Sequence, residues 1–428
     1  MLPTLKAART YTKEESDRIL ASLRQTLEST ASTLNTISET RSQIAKSMDA
    51  TTQIESKWKE VQDKFQEVLD KAIGDFAQSV NKGRSYCGEE KTVHAIGEKM
   101  KSGGYKKIVV LTGAGISTSC GIPDFRSKGG VYTQIGKEFP SVSRPEDIFS
   151  LAFFKEDHRP FANRAELMNP FLQSQPKFTP SVTHSFLRLL ETKNVLLRNY
   201  TQNIDSLERT AGVTSDRIVE CHGSFSHAEC VQCGTTFFDK KTGDFCDKCE
   251  KGEHKNSGTN KSRVKAAVVL FGENLRNKFL SSYKNDLDEC DLCIVIGTSL
   301  RVPPVSTLPT LIRDGTPRIL INNERVGCFE LHQQKPGNNC IPIVEEEECE
   351  EGEEVNDFEE QEDVSRGNFV MLGSCDEQVI KLAKACGMYE ELMVEHRAKI
   401  EEIEKGFVNM KSIQFETFND YMKYNDGE

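Results

Sequence analysis

The spacing of apolar and polar positions changes several times along the chain. Between Pro3 and Gly74 no proline or glycine interrupts it, and Leu20, Leu23, Leu27, Leu34, Ile37, Ile44 and Met48 recur at alternating three- and four-residue spacing. Thr30 and Arg41 fill the gaps in this heptad seam. The seam predicts a helical extension over residues 1–80, which restarts around Trp58, Val61, Phe65 and Val68 as a hairpin or bent coiled coil. Self-association into a homo-oligomer and an intramolecular cap are equal expectations for it.

From Lys106 the spacing becomes that of buried parallel strands. Ile108-Val109-Val110-Leu111 is a short β-branched run that ends in glycine-rich sequence. Similar runs follow at Val195–Leu197, Val268–Phe271, Leu292–Ile296 and Ile319–Ile321, several of them separated by patterned helices. This alternation predicts an α/β fold, a doubly wound Rossmann-like parallel sheet. Residues 327–368 break the pattern as a solvated, disordered insertion, and Phe369-Val370-Met371-Leu372 resumes the core. After Met388 the chain is a charged, helical tail over 389–428.

Charge changes this picture at one place. Residues 345–363 hold thirteen acidic residues and no basic one, so a chain of net charge −11 is +2 elsewhere. No Lys/Arg-rich stripe argues for direct nucleic-acid binding. No apolar run approaches the roughly 20 residues a membrane span needs. No signal peptide is read at the N-terminus, so an intracellular, cytoplasmic or nuclear protein is expected, its fourteen cysteines being free thiols and metal ligands.

One pattern carries chemistry by itself. Cys230-x2-Cys233 and Cys246-x2-Cys249, twelve residues apart, have the spacing of a ribbon whose two knuckles hold one structural zinc ion. Four thiolates close the coordination sphere, which leaves His227 out of the ligand set and keeps the metal away from substrate. Gly113-Ala114-Gly115-Ile116-Ser117 directly follows the first strand, with Thr118 where a strict dinucleotide fingerprint has its third glycine, and reads either as an ordinary tight turn or as one that lets backbone approach a pyrophosphate. His222 ends the strand-like Ile218-Val219-Glu220 and precedes a glycine, and an imidazole with an ordinary pKa of ~6.5 suits a general base near neutrality.

The stretch from Gly113 to Arg126, with Ile122, Asp124 and Phe125, closely resembles the cofactor loop of sirtuins. Thr201-Gln202-Asn203-Ile204-Asp205, His222-Gly223, Phe271-Gly272-Glu273, Gly297-Thr298-Ser299 and Ile321-Asn322-Asn323-Glu324 continue the resemblance in family order. It covers a core over residues 89–388, with a zinc ribbon at about 227–263, and is closest to the eukaryotic deacetylase branch. It implies a Rossmann-like domain and a smaller domain of zinc ribbon plus helical insert, with NAD and acyl-lysine meeting between them. Gln202, Asn203 and Asp205 match residues on the nicotinamide side, Ile122 and Asp124 those holding the carboxamide, and Phe125 the ring over the anomeric carbon. Asn322 and Glu324 match adenosine-ribose contacts, and Cys375 an adenine-side backbone contact. Val269, Phe271, Gly272 and Glu273 match the strand edge on which a substrate peptide pairs.

The activity so implied is NAD-dependent removal of acyl groups from protein lysines, giving nicotinamide and O-acyl-ADP-ribose. His222 would take a proton from a ribose hydroxyl, with Asn203 beside it. Tyr132 is followed by Thr133, Gln134 and Ile135, so the Tyr-x-x-Arg pair that selects acidic acyl groups in some relatives is absent and a neutral, acetyl-like group is expected. Ala266-Ala267 departs from the Pro-Asp pair common before the peptide-binding strand. Histones or other basic tails are the expected partners; the acidic run, which the resemblance does not explain, is either a solubilising loop or a segment that concentrates such tails. Mono-ADP-ribosyltransfer from the same NAD site and a silent acyl-lysine-reading scaffold are the competing readings.

Overall fold

The computed structural model describes residues 86–87, 89–251, 262–313, 315–330 and 367–425. All belong to the second of two compact units, Gly74–Glu428. The helical seam of residues 1–80 and most of the acidic insertion lie outside the described residues.

The described chain contains strands β1 (Tyr86–Cys87), β2 (Ile108–Thr112), β3 (Leu196–Thr201), β4 (Ile218–Glu220), β5 (Gly223–Cys230), β6 (Thr236–Phe237), β7 (Val264–Val268), β8 (Leu292–Ile296), β9 (Arg318–Asn322) and β10 (Asn368–Leu372). Seven form a parallel sheet in the order β1-β10-β9-β8-β2-β3-β4. Its central strands are buried on both faces, which is why they read as unbroken apolar runs. Alternate residues serve opposite layers: Ile108, Val110, Ile294 and Ile296 join one core, Val109, Leu111, Cys293 and Val295 the other. Helices α1 (Glu89–Lys101), α5 (Val182–Thr192) and α7 (Cys375–Ala385) cover the first layer, and α6 (Asn277–Glu289) covers the second with Phe279 and Leu287.

The remaining strands form an antiparallel sheet, β6-β5-β7. One expectation is corrected here. The Val268–Phe271 run is no strand of the parallel sheet, because β7 ends at Val268 and pairs with β5. Beyond it, the Val269 amide donates to His222 O at 2.8 Å, and Phe271 forms an isolated bridge with Ser150. Helices α2 (Val131–Glu138), α3 (Leu151–Glu156) and α4 (Arg159–Met168) pack on this module around Ile135, Phe154 and Phe161, together with Phe225 of β5.

The tail is part of this body. Helix α8 (Tyr389–Glu404) buries Leu392 completely in the core that holds Phe186 and Leu190 of α5. Helix α9 (Met410–Lys423) lies on the small module: Gln414 Nε2 donates to Ser226 O at 3.0 Å and Met410 enters the Phe154–Phe161 core. Among the described residues no helix is long and apolar enough to cross a membrane.

If α8 belongs to the core, Leu392→Ala lowers unfolding stability by about 2–5 kcal/mol in a denaturant titration. A loss below about 0.5 kcal/mol, the range of an ordinary surface change, would contradict the docking.

Candidate active site and metal centre

Strand order reverses between β2 and β8, since the chain leaves β2 toward β3 and leaves β8 toward β9. At such a switch point the connections diverge and open a crevice beyond the carboxyl ends of the strands. Both strands end in glycine turns that touch: the Gly115 amide donates to Gly297 O at 2.8 Å. A Cβ on Gly115 would lie 2.7 Å from the Gly297 Cα, and Gly297 itself has φ of +62°. Larger residues would force the turns apart. A cleft of about 940 Å³ opens over them, lined among others by Gly113, Ser299, Phe125, His222, Phe271, Asn322 and Glu324.

The polar groups of this cleft are tied to the sheet ends. The Gln202 amide donates to Thr112 O at 2.9 Å, and its side chain donates to Thr298 Oγ1 at 2.8 Å. Asn203 Nδ2 donates to Gly113 O at 3.1 Å, with Ser117 Oγ at 3.3 Å. Ser117 in turn donates to Asp205 at 2.7 Å. Burial raises the Asp205 carboxyl, and Glu208, buried beside it, is pushed up to about 8 by burial and then by the Asp205 charge.

His222 lies in the turn between β4 and β5. Its Nδ1 is 3.0 Å from Gln202 O. A carbonyl only accepts, so Nδ1 carries the proton and Nε2 of the neutral ring is left with its lone pair. Among the described residues that buried Nε2 has no hydrogen-bond partner, and it belongs to a residue that lines the cleft. Burial lowers the His222 pKa, as does the Arg126 charge, while the Gln202 hydrogen bond opposes them. Gly223, at φ +72°, fixes the turn: a Cβ there would sit 2.0 Å from Ala267 O.

The far wall is aromatic. Phe125, Tyr132 and Phe149 meet with ring centroids 5.7 to 6.1 Å apart, and Arg126 stands over Tyr132. Phe271, which lines the cleft, is 45% exposed, and its backbone is bonded to Phe149 O and to the Leu151 amide. Behind it, the Glu273 carboxylate accepts from the Leu270 amide at 2.8 Å and pairs with the buried Lys265 ammonium at 3.0 Å.

The structure thus gathers Gly113, Ala114, Gly115, Asp124, Phe125, Arg126, Gln202, Asn203, His222, Val269, Phe271, Gly272, Glu273, Gly297, Thr298, Ser299, Asn322 and Glu324 on one cleft. Ser117 and Asp205 stand behind Asn203, Ile116 is in the core, and Ile122 and Cys375 are not on the cleft wall. Cys375 begins α7, its Sγ 3.0 Å from where a Gly297 Cβ would be. Sequence reasoning missed Phe149 and Arg301, which also line the cleft and sit in no recognisable motif.

In the small module the Sγ atoms of Cys230, Cys233, Cys246 and Cys249 lie within 4.8 Å of one another, with Cys230–Cys249 and Cys233–Cys246 both at 3.7 Å. Tetrahedral ligation at ~2.3 Å places sulfurs about 3.8 Å apart, so the four fit one zinc ion. His227 is elsewhere, 3.2 Å from Glu229 Oε1.

Residues 113–304 match the family described as "Sir2 family". The chain is 45% identical over 229 residues to the "NAD-dependent deacetylase sir2D" of Dictyostelium discoideum, covering 52% of this chain and 40% of that protein. It is 43% identical over 249 residues to the "NAD-dependent protein deacetylase sirtuin-1" of Homo sapiens, covering 56% and 32%. To the "NAD-dependent histone deacetylase sirtuin-1" of Drosophila melanogaster it is 41% identical over 260 residues, covering 56% and 31%. The chain spans less than half the length of each of these relatives.

The sulfur geometry predicts one zinc per chain by elemental analysis. Cys246→Ser loses the ion and melts at lower temperature, because a three-thiolate ribbon forfeits much of the folding free energy the metal supplies. A wild-type protein holding well under one equivalent would contradict the centre.

Proposed function

With residues 113–304 taken as a Sir2-family domain, we propose that the chain is an NAD-dependent protein-lysine deacetylase. The observation that carries this reading is the Nε2 of His222, without a hydrogen-bond partner among the described residues, on a cleft-lining ring whose other nitrogen is held by Gln202 O. Bound NAD would supply an electrophilic anomeric carbon with nicotinamide as leaving group. The touching glycine turns would let backbone approach a pyrophosphate, and Asn322 and Glu324, on the same cleft, would contact the adenosine ribose. Asn203, Gln202 and Asp124 offer polar groups at the nicotinamide end, where Phe125 excludes water. The Val269–Glu273 segment receives the substrate backbone as an added strand.

Once the acyl oxygen has displaced nicotinamide from the anomeric carbon, His222 Nε2 would take a proton from a ribose hydroxyl as that oxygen adds to the acyl carbon, and water would complete the release of the lysine amine and the O-acyl-ADP-ribose. A neutral base is needed for the proton transfer, and burial keeps the ring neutral. The aromatic wall and the absence of a cation at Ile135 favour an uncharged acyl group. One relative is named a histone deacetylase, which supports basic histone-like tails, met in nucleus or cytoplasm, as the substrate class.

Mass spectrometry of an acetyl-lysine peptide incubated with the protein and NAD tests the reading. Deacetylated peptide, nicotinamide and O-acetyl-ADP-ribose in equal amounts are expected. ADP-ribose attached to protein without deacetylation would replace it with mono-ADP-ribosyltransfer, and no turnover would favour a silent scaffold.

His222→Ala lowers turnover by ~10²–10⁴-fold and leaves NAD affinity nearly unchanged, because the imidazole handles a proton rather than anchoring the dinucleotide. Retention of more than half of wild-type turnover would contradict the role. Since burial and Arg126 lower the His222 pKa, the base stays competent as pH falls past ~6.5, and the acid limb of kcat/KM lies below that value. An acid limb well above it would contradict the environment assigned to the ring.

A further inference from the structure

Helix α9 reaches the catalytic turn from outside the matched domain, and it does so on both sides of His222. On one side, Asp420 Oδ2 accepts from Lys278 Nζ at 2.6 Å and from Arg209 Nη2 at 3.4 Å. Arg209 also holds Glu220, two residues before His222, with contacts of 3.0 and 3.3 Å. The four side chains are 5 to 14% exposed, so two cations and two carboxylates balance in a nearly dry site. Without Asp420, two buried cations would face Glu220 alone, and Arg209 would be drawn away from the geometry that fixes β4.

On the other side, Tyr421 lies against His227 with centroids 4.2 Å apart and against the Arg276 guanidinium at 5.6 Å. Arg276 grips both Glu229 oxygens, at 2.8 and 3.0 Å, and donates to Ala267 O. Ala267 O is the atom against which Gly223 is pressed, and the neighbouring Val269 amide holds His222 O. Two consecutive residues of α9 therefore brace residues 220 and 223, the two ends of the turn that aims Nε2.

We infer that Asp420 and Tyr421 are positioning residues for His222, and that α9 is a clamp which sets the catalytic turn rather than a passive tail. The inference rests on the deacetylase reading given above. Neither residue touches the cleft, so the clamp acts on turnover and not on ligand affinity.

The test uses the full-length protein with Asp420→Asn, Asp420→Glu, Tyr421→Ala and Tyr421→Phe. Asp420→Asn and Tyr421→Ala lower kcat about tenfold, the scale of a small misplacement of a catalytic group. Their KM for acetyl-peptide and NAD stays within about twofold. Asp420→Glu and Tyr421→Phe keep the charge and the ring and retain at least about half of wild-type kcat. Hydrogen exchange by mass spectrometry reads the same turn without activity: amides of residues 220–223 exchange faster in the two disruptive variants than in the two conservative ones. If Asp420→Asn unfolds at the assay temperature, Tyr421→Ala decides, since it strands no buried charge. An active wild type whose folded disruptive variants match it in kcat overturns the clamp alone. A wild type without turnover overturns the deacetylase reading, and unchanged exchange at 220–223 would then overturn the clamp as well.

Discussion

The site depends on backbone-to-backbone contact between the turns after β2 and β8, where the Gly115 amide meets Gly297 O at 2.8 Å. The constraint is steric before it is chemical. With any Cβ in the way, the two strand ends would splay, and the polar groups hung on them would lose their common origin. Gln202 bonds both Thr112 O and Thr298, so it spans the same junction from the β3 side. His222 is oriented by Gln202 O, and the imidazole thus inherits its position from the glycine contact through one intermediate residue.

That inheritance explains why a buried histidine can be left with an unpaired nitrogen. Leaving a buried polar atom without a partner costs about 1–3 kcal/mol, and the surrounding structure must over-determine it. Here it does: Gly223 admits only a left-handed turn against Ala267 O, and the Val269 amide takes the His222 carbonyl. The small module is held to its task in the same way. Its cysteine cluster lies at one end of β5, while the turn that carries His222 lies at the other.

Much of this was legible in the sequence, for identifiable reasons. Strands buried on both faces leave unbroken runs such as Leu292–Ile296, and zinc knuckles leave fixed cysteine spacings, because each is a local requirement. The Val268–Phe271 run was misread because an apolar run records burial and not the sheet that provides it. Phe149 enters the cleft through packing against Phe125, a contact between residues with no shared pattern. The braces of α9 were invisible for a related reason: Asp420 lies 142 residues from Lys278 and 211 from Arg209, and charged residues in a charged tail read as solvated until the fold buries them.

The central claim is that His222, on the wall of the cleft, is neutral, with its proton on Nδ1 and its lone pair on Nε2. Nitrogen-15 NMR of the histidine-labelled full-length protein at neutral pH measures this directly, with His222→Gln assigning the signal. The account predicts one protonated nitrogen, Nδ1, and an Nε2 shift of an unprotonated imidazole nitrogen. A proton on Nε2, or on both nitrogens, would contradict it.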